Sequence, residues 1–220
     1  WFVNPAELKQ GMTEEFLTIL SQVTKKPYAT ILSKSQTFRN TGFSLTPENY
    51  MKVCLILIKA ELNIPIIMMG ESGCGKTYLS HYVAEGLLEE PMYDLTLYSG
   101  VTEEQFLEFM RNVVKQAKST SGRVWVLFDE FNTSSLQSLV AEIMLDRVCS
   151  IDRSIYEIPQ NVVFIACCNP YRMKTKSTTV GLVSRSSNVI LSHRVYPIPE
   201  RLIDYVWDFG QLSEADEMSI

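Results

Sequence analysis

At 220 residues, with 46% hydrophobic and 20% charged side chains, the chain has the composition of one globular core with room for a small appendage, which excludes a disordered, collagen-like or coiled-coil chain. Twenty basic against 25 acidic residues leave a formal charge of −5, so no basic field is available to hold a nucleic-acid backbone. The longest apolar run, Val162–Cys168, falls far short of the roughly 18 to 20 residues of a membrane-spanning helix, and the amino end has no charged-then-apolar leader, so a soluble, non-secreted protein is expected.

Along residues 1–44 the periodicity is weak. One amphipathic run (Phe16, Leu17, Leu20, Val23) lies between Gly11 and Pro27, and residues 33–44 are polar, which predicts a helical and irregular appendage. From Thr46 the signals sharpen. Thr46-Pro47-Glu48 sets a capping hydroxyl, a first-turn proline and an acid ahead of Met51, Cys54, Leu55, Ile58 and Leu62, predicting a helix that ends near Asn63. Residues 64–69 form a short apolar run whose Pro65 suits the start of a buried strand. Residues 76–88 are helical in period and residues 93–98 alternate as a strand. Thr102-x-x-Gln105 then has the capping-box form ahead of Phe106, Leu107, Met110, Val113, Val114 and Ala117. Two continuous apolar runs, 124–128 and 162–167, flank a helical stretch over 134–148. A fifth strand is expected over 189–196. A last helix through Leu202, Ile203, Val206 and Trp207 follows, with Trp207-Asp208-Phe209-Gly210 as its end and terminating glycine. This alternation predicts a three-layer α/β/α sandwich around a mostly parallel five-stranded sheet.

The first apolar strand runs directly into Gly70, Glu71, Ser72, Gly73, Cys74, Gly75, Lys76 and Thr77, a full G-x-x-x-x-G-K-[ST] (Walker A) match, and then into a helix that continues with Tyr78. Glycines let backbone N–H groups converge on phosphate oxygens, and the helix amino end adds positive potential. Lys76 is placed for the β- and γ-phosphates and Thr77 for magnesium. Asp129-Glu130, at the end of the 124–128 strand, has the form of the second acidic (Walker B) motif. Asp129 would hold magnesium through water, and Glu130 is the candidate general base for an attacking water. An acidic pair capping the next helix is the bland alternative, although Thr133, Ser134 and Ser135 could cap that helix themselves. Asn169, in Cys167-Cys168-Asn169-Pro170 at the end of the next strand, is the candidate sensor of the water or the γ-phosphate. Asn132 either reads the nucleotide state or belongs to the turn. Arg185 and Arg194 are candidates for an arginine finger, with a solvated or ion-paired arginine as the plainer reading of each.

Five cysteines without a C-x-x-C pair point to reduced thiols in an intracellular compartment, and with His81 and His193 the only histidines a zinc site is not expected. Cys74 is read as a small filler of the loop rather than a reactive thiol. A chain that opens on Trp1 and stops after Glu217-Met218-Ser219-Ile220 is expected to be a piece of a longer one.

Together, residues 70–77, Phe-Asp-Glu-Phe-Asn-Thr at 128–133 and Ala-Cys-Cys-Asn-Pro-Tyr-Arg at 166–172 resemble an AAA+ ATPase module, and more narrowly the mysterin family of giant, dynein-like AAA+ ubiquitin ligases. The late run from His193-Arg194-Val195-Tyr196-Pro197 to Trp207-Asp208-Phe209-Gly210 is similar too. The resemblance implies ATP and Mg2+ as cofactors, sheet order 5-1-4-3-2, and the helix from Thr46 near the adenine. It divides the chain into an appendage (1–44), an AAA+ core (45–212) and the start of a following segment (213–220), with no lid subdomain. It also implies neighbouring AAA+ modules of the same chain and the ubiquitin machinery as partners of a larger parent, and a cytoplasmic setting with some lipid-droplet association. Beside ATP hydrolysis stand three other readings: a dynein- or midasin-like remodelling motor, a scaffold holding nucleotide structurally, and a small-molecule kinase. The retained Glu130 argues against the scaffold, and the Asn169 spacing argues against the kinase.

Overall fold

A computed structural model describes residues 8–39, 47–151, 154–170 and 195–210. In chain order these form helices α1 (Leu8–Thr24), α2 (Tyr28–Arg39) and α3 (Pro47–Glu61), strand β1 (Ile66–Gly70), and α4 (Lys76–His81), which widens into a π-helical segment, Tyr82–Leu88. Next come β2 (Met92–Thr96), α5 (Glu103–Ser119), β3 (Val124–Asp129), a 3-10 turn (Phe131–Thr133), α6 (Gln137–Asp146) and the strands β4 (Val148–Ile151) and β5 (Ser154–Glu157). The remainder is β6 (Val162–Cys168), a one-turn helix α7 (Glu200–Ile203) and β7 (Val206–Gly210). None of the described helices is long and apolar enough to cross a membrane.

Five strands pair in the order β2-β3-β6-β1-β7, every pair parallel, so all five carboxyl ends lie on one edge. Successive side chains of a strand point to opposite faces, and this period of two builds two cores from one sheet. Trp125 and Leu127 of β3, with Val163, Ile165 and Cys167 of β6, join α1 to α4 on one face. Val124, Val126 and Phe128, with Val162, Phe164 and Ala166, join α5 and α6 on the other. Phe128 sits at the centre of the second core, with ring centroids 5.5 Å from Phe106, 6.4 Å from Phe109 and 5.9 Å from Phe164. This is the expected three-layer α/β sandwich. The capping box at α5 also forms as its sequence predicts: Thr102 and Gln105 bond each other's backbone reciprocally.

Two elements differ from the sequence reading, and a third falls mostly outside the described residues. The segment read as the end of a helix, Trp207 to Gly210, is β7. Val206, Trp207 and Asp208 lie opposite Ile67, Met68 and Met69, with the register shifting between Met69 and Gly70. Pairing with the open edge of β1 outweighs the weak helical pattern of a segment rich in β-formers. Gly210 does adopt the left-handed conformation of a terminating glycine (φ +85°), but it ends a strand. The expected strand at 189–196 falls mostly outside the described residues, and Val195 and Tyr196 have no regular structure. The helix expected over 134–148 stops at Asp146 because Arg147 turns left-handed (φ +57°), and β4 and β5 follow as an antiparallel hairpin.

In the first 44 residues, α2 continues through part of the stretch read as polar and irregular. Leu17, Leu20 and Ile31 are fully buried in the same cluster as Tyr50, Val53 and Leu57 of α3, and Phe16 stacks on Tyr50 at 5.3 Å. The ammonium of Lys26 donates to the carbonyls of Leu87 (3.3 Å) and Leu88 (2.7 Å), and Lys34 donates to that of Leu87 (3.2 Å). Two cations thus close the carboxyl end of the helix that leaves the glycine-rich loop, the end at which its dipole favours positive charge.

Candidate phosphate-binding site

Strand β1 delivers its last residue, Gly70, into a position with no room for a side chain. A Cβ there would lie 2.9 Å from Cys74 Sγ, 3.2 Å from the Gly210 carbonyl and 3.3 Å from Phe209 Cβ. The chain then turns through Glu71, Ser72, Gly73 (φ +86°), buried Cys74 and Gly75 (φ +88°), which caps α4. Those two positive φ values are strained for any residue with a Cβ, which explains both glycines. A Cβ on Gly73 would meet nothing within 4 Å, so the loop is open on that side.

Lys76, 7% exposed, turns back over the loop, and its ammonium donates to the carbonyls of Gly70 and Glu71, both at 2.7 Å. The next residue reaches the other motif. Thr77 Oγ1 donates to Asp129 Oδ2 at 2.9 Å, joining the start of α4 to the end of β3. Tyr78, by contrast, is on an exposed part of α4. The second Asp129 oxygen accepts the backbone N–H of Glu130 at 2.9 Å. Glu130 is exposed and left-handed (φ +52°), which bends the chain out of β3, and its side chain makes no cap hydrogen bond to the 3-10 turn that follows.

The caps expected for that helix are used otherwise. Thr133 Oγ1 donates to the carbonyl of Leu97 at 2.6 Å, tying the turn to the end of β2, while Ser134 Oγ accepts the N–H of Leu136 just ahead of α6. On the other side, Asn132 and Asn169 bring the turn against the end of β6. Lys76, Thr77, Asp129, Glu130 and Asn169 therefore gather on the carboxyl edge of the sheet, where open α/β sheets take their ligands. Arg185, Arg194 and His193 lie outside the described residues.

All five cysteines are free and buried. Burial pushes the Cys167 thiol well above its ordinary pKa, with the Asp129 charge adding to the effect, and burial also takes Cys168 up to about 12. Neither thiol is a nucleophile beside the loop, because the reactive form is the thiolate.

As a donor set, the site pairs a hydroxyl and a carboxylate, hard oxygens that suit magnesium, beside a loop with an amino-terminal helix and a lysine that suit phosphate. The 2.9 Å bond between Thr77 and Asp129 sets the hydroxyl and the carboxylate side by side. These groups fit a magnesium-bound phosphate. The lysines closing the far end of the same helix were not anticipated from the sequence. Lys26 and Lys34 carry no motif, and a contact spanning about 60 residues leaves no local signal.

Residues 43–172 match the family model described as the RNF213 AAA domain. Among curated proteins, the E3 ubiquitin-protein ligase RNF213 of Mus musculus is 30% identical, E3 ubiquitin-protein ligase rnf213-beta of Danio rerio 29% and RNF213 of Homo sapiens 28%, each over 80% of this chain. The chain spans about 4% of the length of each of these relatives. Among solved structures, a candidate ATPase from Cytophaga hutchinsonii superposes with a TM-score of 0.52 over 96% of this chain and 58% of its own, at 16% identity, a likeness of fold.

Proposed function

The chain belongs to the RNF213 AAA domain family, and from that premise we propose that it binds ATP with Mg2+ and hydrolyses it as one AAA+ module of a larger ubiquitin ligase. The observation that carries this reading is the 2.9 Å hydrogen bond between Thr77 and Asp129, with the exposed Glu130 next in the chain.

Binding falls to the loop. The backbone N–H groups of residues 71–77 and the amino end of α4 hold the phosphates, and Lys76 exchanges its two carbonyl partners for phosphate oxygens. Cys74 packs beneath the loop. Thr77 and Asp129 would hold Mg2+, which when bound neutralises charge developing on the phosphates. Glu130 orients and deprotonates the attacking water, a role for which its exposure leaves it free, and Asn169 steadies that water or the γ-phosphate. A scaffold that keeps its nucleotide unhydrolysed needs no such base, and Glu130 favours turnover. An arginine finger, from Arg185, Arg194 or a neighbouring module, would complete the charge stabilisation.

The ubiquitin-ligase activity in the relatives' names we place in the parent rather than in these residues, with neighbouring AAA+ modules and the ubiquitin machinery as partners and the cytoplasm as the setting. The test is calorimetric binding of Mg-ATP and phosphate release by the full chain. Lys76→Ala is expected to lose binding. Glu130→Gln should keep it while phosphate release drops by about 100-fold or more. Binding with no release by the wild type would overturn hydrolysis in favour of the scaffold, and equal release by Glu130→Gln would remove Glu130 from the mechanism.

A further inference from the structure

One side chain ties the turn after Glu130 to the end of β6. Asn132 is fully buried, and its amide is committed to the backbone of a single residue. Its Nδ2 donates to the Asn169 carbonyl at 2.8 Å, and the Asn169 N–H donates back to its Oδ1 at 3.2 Å. Its own carbonyl accepts the N–H of Tyr196 at 2.7 Å. Segments near residues 132, 169 and 196 therefore meet at one point.

The chemistry is specific. Among short side chains, asparagine alone offers a donor and an acceptor side by side without charge, and two parallel bonds to one residue's backbone fix orientation as well as distance. Each polar atom of the amide has a backbone partner, and the side chain is fully buried. The turn it anchors is pinned at its other flank as well: Thr133 donates through its N–H to the Glu130 carbonyl (2.9 Å) and through its hydroxyl to Leu97. Glu130 stands exposed at the start of this turn, ahead of both anchors in the chain.

We propose that Asn132 is a positioning residue for hydrolysis, which locks the Glu130 turn and the Asn169 strand end into one frame so that base and sensor address the same water. This rests on the hydrolysis reading above. It settles the choice left open by the sequence toward the turn, and it gives that turn a role, which is to transmit the register of β6 to the carboxylate leaving β3.

The test measures ATP affinity, kcat and thermal stability of the full chain for wild type, Asn132→Asp and Asn132→Leu. Both variants are close to the size of asparagine. The first keeps the acceptor for the Asn169 N–H but sets a carboxylate oxygen against its carbonyl, and the second removes both bonds. Val162→Ala, in the same strand at its opposite end, serves as a control that loses stability by cavity formation alone. Positioning errors of about 1 Å cost on the order of 100-fold in rate, so both Asn132 variants are expected to lose roughly 10- to 100-fold in kcat with ATP affinity within about twofold of wild type. Val162→Ala should keep its kcat.

Asn132 variants that keep kcat within about threefold overturn the proposal, as do variants whose kcat and affinity fall together in step with a lowered melting temperature. If Asn132→Leu fails to fold, Asn132→Asp decides the matter, and failure of both to fold makes the residue structural and overturns its positioning role. A wild type without turnover would remove the hydrolysis reading and this inference with it, whereas an active wild type matched by Asn132→Asp removes this inference alone.

Discussion

At the amino edge of the sheet, polar side chains bridge different elements, whereas at the carboxyl edge Lys76 bonds only within its own loop. Arg123 joins Glu90 of the turn before β2 to Glu61 of α3, and Glu90 also accepts the Trp125 indole N–H at 2.6 Å. Arg147 donates to the Asn63 side chain and to the carbonyls of Pro159 and Val162, while the Asn161 amide closes the carbonyls of Ala117, Thr120 and Gly122 at the end of α5. Opposite these, Lys76 holds two carbonyls of its own loop, while Thr77 reaches from α4 to Asp129 at the end of β3. A bond within one loop can be exchanged for a ligand atom without moving the scaffold, and at this edge Lys76 is the side chain so held. The amino edge thus contributes stability through bonds between elements, and the carboxyl edge keeps in Lys76 a group that can exchange.

The sharpest way to break this separation is a pair of acidic substitutions, one at each edge. Glu130→Gln is expected to lower kcat by about 100-fold or more while leaving the melting temperature within about 2 °C, since its carboxylate is exposed. Glu90→Ala should do the reverse. It leaves the Trp125 N–H without its acceptor and Arg123 without one of its carboxylates, a loss of about 2 to 3 kcal/mol in urea unfolding, with kcat and ATP affinity unchanged. A Glu90→Ala chain of normal stability, or one with crippled turnover, would erase the contrast.

Arg147→Met refines it at smaller scale. Its guanidinium is partly buried over the Phe164 ring, and burial lowers its pKa, so part of what its three bonds contribute is already offset by desolvation. A loss of about 1 to 2 kcal/mol is expected by the same unfolding measurement, again without change in kcat.

The smallest effect is titratable. Partial burial alone would lower the His81 pKa, but the hydrogen bond with Glu85 and the charge and hydrogen bond of Asp94 outweigh it and hold the imidazole above its usual value. A raised folded-state pKa means that the stabilisation is fully present below the unfolded value of 6.5 and is lost as pH rises through the higher folded value. Wild type should therefore exceed His81→Asn in stability near pH 6, and the gap should close in alkaline solution. The side chain is one-third exposed, so the gap is at most about 1 kcal/mol. A gap that grows with pH would show that the imidazole acts as a neutral group.

Much of this arrangement was legible in the sequence because its signals are local. The glycine-rich loop, the acidic pair after an apolar strand, and the capping box of α5 each declare themselves within eight residues or fewer. What was hidden depends on contacts that only the fold creates. Val206 to Phe209 read as helix because its neighbours Leu202 and Ile203 supplied a helical period, and the open edge of β1 that captures it lies well over 100 residues away. By sequence Asn132 suits a turn or a sensor equally, and only the fold sets both polar atoms of its amide against the backbone of Asn169. The β4–β5 hairpin has alternation too short to stand out beside α6, and its onset hangs on the left-handed Arg147.

Gly70 and Gly73 look interchangeable as letters of one motif, yet they answer to different selections. At position 70 three groups already crowd the place of a Cβ, two of them from β7, so the demand comes from assembly of the chain itself. At position 73 there is space, and only the backbone conformation and the approach of a ligand ask for glycine. A library screened for folded protein alone should retain Gly70 while releasing Gly73 toward asparagine and aspartate, along with Lys76 and Glu130. Adding a requirement for nucleotide turnover should restore all three, so that the difference between the two screens would separate, letter by letter, what the architecture requires from what the chemistry requires.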